Sequence, residues 1–96
     1  MRKDINLTVR ILKAGSNEKR IKILEILLSG EEFTVEEIAN RINLSISATS
    51  KHLNKLESVR LIKKRKTSRW VWYSLNQDKR KRFNSLFFEF LKKALL

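Results

Sequence analysis

Residues Leu44-Ser-Ile-Ser-Ala-Thr-Ser-Lys-His-Leu53 place four hydroxyl side chains within six positions, followed by a lysine and the only histidine of the chain. With Thr49, Leu53 and Leu56 turned inward, helical spacing leaves Ile46, Ser47, Ser50, Lys51, Asn54 and Lys55 outward. Short hydroxyls let a backbone approach base edges closely, and they can donate or accept in a major groove. The first amides of such a helix favour a phosphate. Ser45 is expected to cap the helix. Lys51 and Lys55, one turn apart, are placed for the phosphates flanking a groove. His52 has no cysteine and few acids around it, which is a poor start for a metal site; it is expected to be structural or to touch phosphate. An ordinary amphipathic surface helix would account for this polar face by itself. The segments on either side argue for more.

The segment that follows gathers Lys63, Lys64, Arg65, Lys66 and Arg69 around Thr67 and Ser68. β-branched and aromatic residues flank this turn, which predicts a hairpin with strands near 61–65 and 69–75. A cationic tip of this kind can straddle a minor groove, with an arginine inserted and lysines on phosphates. Lysines also blunt exposed sheet edges, but five cations at one turn exceed that need. Trp70 and Tyr73, or alternately Val71, are expected to point into the core.

Charge supports the same direction. The 96 residues carry 22 Lys+Arg and 10 Asp+Glu, a net charge of +12. Between Lys51 and Arg82 there are 12 basic residues against Glu57 and Asp78, so +10 of that charge falls in one third of the chain. Such concentration suits a phosphate-facing patch. The run Lys79-Arg-Lys-Arg82 opposes the dipole of the helix it opens; it extends that patch, meets acids of a second copy, or is simply solvated.

The remaining chemistry is sparse. With no cysteine there is neither a disulfide framework nor a thiolate metal site. No nucleophile–base pair, carboxylate pair or glycine-rich phosphate loop is present, so the sequence gives no support for an enzyme and calls for no cofactor. No apolar run approaches a membrane span, and a cytoplasmic, nucleoid-associated protein with no membrane partner is expected.

These residues must be positioned by a small α+β frame, mainly helical with a β-hairpin, read as a single domain over 1–96. The first helix spans Asp4 to about Gly15, with Ile5, Val9 and Leu12 on one face. Ser16 or Asn17 caps a second helix that ends near Gly30. Thr34-Val-Glu-Glu37 is a capping box that opens a short third helix, and Asn43 suits the left-handed turn behind it. The fourth helix covers about 46–58. Asn76 is expected to cap the last helix, with Phe83, Leu86, Phe87, Phe90, Leu91, Ala94 and Leu95 on one broad face. That face exceeds what a peripheral helix needs, so Phe83, Phe87, Phe90, Leu91 and Leu95, with Ile5, Val9 and Leu12, are expected to meet a second copy of the chain.

Three stretches together carry a resemblance: Arg20-Ile-Lys-Ile-Leu24, the 44–53 run, and Arg69-Trp-Val-Trp-Tyr73. Over roughly residues 17–75 the chain resembles the ArsR/SmtB family of winged helix-turn-helix repressors. The resemblance implies an order α-α-(short β)-α-α-β-β-α and a homodimer built on the first and last helices. It also implies binding to an imperfect inverted repeat in double-stranded DNA, with Ser47, Ser50 and Lys51 at groove positions. Ile46 stands where the family often has glutamine; it can touch a thymine methyl but cannot make a bidentate bond to adenine. Thr34 and Glu36 replace metal-sensing cysteines, and the last helix has only Asp78 and Glu89 where a second type of sensor needs histidines and acids, so no metal is assigned. Arg60 and Ser68 replace glycines common at the start and tip of the hairpin. The expected function is a metal-independent dimeric repressor. A sequence-tolerant DNA coat and a protein-docking module are the alternatives. The sequence names no small-molecule effector.

Overall fold

The computed structural model describes residues 5–78, 80 and 82–96. Asp4, Lys79 and Lys81, which entered the readings of the first helix and of the cationic run, lie outside the described residues. The element order is α1 (Ile5–Gly15), α2 (Glu18–Leu27), β1 (Phe33–Thr34), α3 (Val35–Ile42), α4 (Ile46–Ser58), β2 (Ile62–Lys66), β3 (Val71–Leu75) and α5 (Arg82–Leu95). This is a winged helix-turn-helix in the expected order. Among the described residues, no helix is long and apolar enough to cross a membrane.

Local signals start and stop the helices as their side chains dictate. Asn17 Oδ1 accepts the Arg20 amide at the start of α2. At α3 the Thr34 hydroxyl accepts the Glu37 amide, and the Glu37 carboxylate accepts the Thr34 amide, at 3.2 and 2.9 Å. The reciprocal bonds satisfy two amides that a helix start otherwise leaves open. Asn43 closes α3 at φ 59, and Ser45 Oγ accepts the Ala48 amide to open α4.

The core is formed where α2, α3 and α4 cross beneath the sheet. Ile23, Leu24, Leu27, Ile38, Leu53, Leu56 and Leu61 are wholly buried. Thr49 is buried as well; its hydroxyl donates to the Ser45 carbonyl at 2.8 Å, which removes the cost of an unpaired polar atom. The three strands lie in the order β1-β3-β2, all antiparallel, with Thr34 opposite Trp72 and Arg65 opposite Trp72 on the other edge.

Three expectations are corrected. Trp70 is 44% exposed, whereas Tyr73 is buried and Val71 half-buried. Alternation along a strand puts 71 and 73 on one face and leaves 70 at the turn. Asn76 does not cap α5: its side chain accepts the Asp78 amide at 3.2 Å, six residues before the helix begins. The inward face of α5 is Asn84, Phe88 and Leu91, a stripe at i, i+4 and i+7. Leu91, expected to face a partner, is only 2% exposed within this chain and belongs to its core.

Two backbone details fix how α5 and α1 sit. The buried Asn84 side chain donates to the carbonyls of Arg60 and Asn76 at 2.8 and 3.0 Å, which clips α5 to both ends of the hairpin. Gly15 ends α1 directly against Phe87, where an added Cβ would lie 2.9 Å from the ring.

Candidate nucleic-acid interface

With 100° between successive residues, Ser47, Lys51 and Asn54 stand opposite the buried Thr49, Leu53 and Leu56 on α4. All three are exposed, and Ser50 is half-buried beside them. Ile46, at the first turn, is 50% exposed. This edge is therefore open along its length, with a hydroxyl-bearing start and a cationic middle. The Ser45 hydroxyl is already engaged as the cap.

Two residues of the expected set are turned elsewhere. His52 lies on the flank toward α2, with Nδ1 at 3.2 Å from Arg20 Nη1. A guanidinium only donates, so Nδ1 accepts and the ring proton sits on Nε2. Arg20 also donates through Nε to the Ala14 carbonyl, tying the end of α1 to α4 through one side chain. Burial, then the charges of Arg20, Lys19 and Lys55, hold His52 below its ordinary value of 6.5. Lys55 lines a depression with Arg10, Lys13 and Arg20 toward α1, away from the central stripe. Sequence reasoning gave Arg20 no role beyond its place in a motif; a charged residue between apolar neighbours of α2 was the available signal.

The wing is less uniformly cationic than its composition suggests. Arg65 makes two hydrogen bonds to the Glu32 carboxylate, at 3.0 and 2.7 Å. That contact holds Glu32 below the usual carboxylate range and raises Arg65. Lys64 pairs with Glu57 at 3.4 Å. Among the described residues, Lys63, Lys66 and Arg69 have no such ion pair and are exposed. The tip closes through the Thr67 amide to the Trp70 carbonyl at 2.8 Å, and the Thr67 hydroxyl accepts the Trp70 amide. Ser68 and Arg69 keep negative φ, so the tip has no need of the glycine that Ser68 replaces. Exposed Trp70 adjoins these cations, a contribution the sequence did not disclose because the strand reads apolar on both faces.

The exposed stripe of α4 and the three wing cations without an ion pair are carried on a winged helix-turn-helix. Comparisons with known proteins agree. The helix-turn-helix domain family matches residues 16–65. The chain is 41% identical to the transcriptional activator HlyU of Vibrio cholerae over 76 residues, covering 79% of this chain and 69% of HlyU. It is 36% identical to the nodulation protein NolR of Rhizobium meliloti over 75 residues, 78% of this chain but 61% of NolR, less than two thirds of that relative's length. A solved structure of HlyU from Vibrio cholerae superposes with a TM-score of 0.75 at 37% identity, covering 94% of this chain and 97% of that one. The chain belongs to the ArsR/SmtB family of winged helix-turn-helix transcriptional regulators.

Proposed function

We propose that two copies of this chain pair through α1 and α5 and bind an inverted-repeat operator as a repressor. The observation that carries the reading is the open face of α4, Ser47-Lys51-Asn54, beside the wing cations Lys63, Lys66 and Arg69. In the pair, two recognition helices enter successive major grooves on one DNA face, roughly 34 Å apart. Support for pairing comes from the exposed apolar residues on the two helices: Ile5, Val9 and Leu12 on α1, and Leu86, Phe90 and Leu95 on α5. Phe83 and Phe87 are half-buried and meet in a tilted ring pair, 5.7 Å between centroids.

The regulator is proposed to act without a metal. Thr34, which the family resemblance sets against a metal-sensing cysteine, has its hydroxyl committed to the α3 capping box. Among the described residues no three His, Cys, Asp or Glu side chains converge on a common point. Zinc or a chelator is expected to leave DNA affinity unchanged.

The test is selection of bound duplexes from a random pool at physiological ionic strength, followed by a salt titration. A recurring inverted repeat, with affinity falling by about 10³–10⁵ between about 50 and 200 mM salt, is expected if roughly six to ten phosphates are contacted. Recovery of unrelated sequences with continuous coverage would support the sequence-tolerant coat instead, a reading favoured by the net charge of +12 and by Ile46, whose side chain offers no hydrogen bond to a base.

A further inference from the structure

We propose that the cavity between α1, the end of α4 and the start of α5 is a binding site for a small organic anion with an apolar body and a single carboxylate or phosphate head. The cavity holds about 570 Å³. Ile11, Val59 and Phe83 are among its apolar lining residues, and Arg10, Arg60 and Arg82 line it as well. Arg80, also at the rim, is paired with Asp78. No carboxylate is among its described lining residues. Apolar walls with a few convergent charged groups are the usual make-up of a small-ligand site, and guanidinium forks match the geometry of carboxylate and phosphate.

Arg60 supplies the second line of argument. It occupies the residue just past the α4 cap, with its amide donating to the Glu57 carbonyl and the Leu61 amide donating to Leu56, at 2.9 and 3.1 Å. This is the Schellman arrangement, which places glycine at that position because the backbone is left-handed. Arg60 adopts φ 64 there, a conformation disfavoured for any residue with a Cβ. Its carbonyl is held by Asn84, whose side chain is itself buried. A non-glycine residue held in the left-handed region, at the lining of a cavity that other arginines share, points to a role for its side chain there.

The cavity lies at the opposite end of α4 from Ile46, roughly 18 Å along the helix axis. An occupant would therefore touch no base. It would sit where α1 and α5, the proposed pairing helices, meet the recognition helix, and so would alter the spacing of the two recognition helices. That consequence rests on the proposed operator binding, whereas occupancy does not.

The experiment is a titration of the ¹⁵N-labelled protein with decanoate, followed by amide correlation spectra, with decanol and inorganic phosphate as separate probes. Saturable shifts are expected for Val59, Arg60, Phe83 and Asn84, with decanoate binding at least about tenfold tighter than either control. Arg60→Gly suits the left-handed backbone, so it should keep the native spectrum and an equal or higher Tm while losing about tenfold or more in decanoate affinity. Arg10→Ala, on an exposed face of α1, provides a second reading of the charge contribution. No shifts, shifts centred on Leu86 and Phe90, equal binding of decanol, or undiminished affinity in Arg60→Gly would each overturn the site. The titration contains no DNA, so its outcome is independent of operator binding.

Discussion

Arg20 Nη1 lies 3.2 Å from Nδ1 of His52, a bond between α2 and α4 that exists only while the imidazole is neutral. Because burial and nearby cations depress His52 in the folded chain, the unfolded chain takes up its proton first. The contribution to stability is complete above the ordinary value of about 6.5 and is lost as pH falls from there toward the lower folded value. The urea midpoint is expected to decline between about pH 7.5 and about pH 5.5, and His52→Gln should remove most of that decline. An unchanged pH slope in the variant would show that the pair carries no linkage.

On the DNA side, Lys51 and Arg69 are expected to act on phosphates rather than on sequence. Alanine at either should weaken binding to operator and random duplex alike, and should reduce the salt slope by about one per protomer. Arg65→Ala should have a smaller effect on the slope, because its guanidinium is already bound to Glu32. Fluorescence anisotropy across a salt series separates these outcomes.

Thr34→Ala removes a capping hydroxyl and should cost about 1 kcal/mol, lowering Tm by roughly 4–8 °C for a domain of this size. Thermal unfolding followed by circular dichroism measures it. Much of the fold was legible at points like this one. Thr34, Asn43 and Ser45 act on amides and carbonyls within a few residues of themselves, so their roles follow from local sequence. The bounds of α4 and its inward Thr49, Leu53 and Leu56 emerged in the same way.

Phe90 and Leu86 are 62% and 61% exposed on α5, so replacing either with glutamate should leave the subunit folded. The proposed pair should then separate, and operator affinity should fall by at least about tenfold. Sedimentation equilibrium reports the first effect directly. A variant that remains paired would remove α5 from the interface.

The features that escaped sequence reading depend on distant partners. The docking of α5 depends on Asn84 reaching Arg60 and Asn76, a bond over 24 residues in one case, while Asn76 serves a nearer amide. With Phe83, Phe87, Phe88 and Phe90 in one helix, no single apolar stripe is unique, and packing alone selects Phe88 and Leu91. The wing cations were visible in composition. Their neutralisation by Glu32 and Glu57 was not, because it depends on how the hairpin lies against β1 and α4.

Because the chain contains no cysteine, the proposed position of the start of α4 on DNA can be measured directly. A single Ser47→Cys carries a DNA-cleaving iron chelate at one place on each protomer. Two clusters of strand scission within the major groove, centred roughly 34 Å apart on the selected operator, are the expected result. Scattered scission, or the same pattern when the chelate is carried on Glu89→Cys of α5, would contradict it.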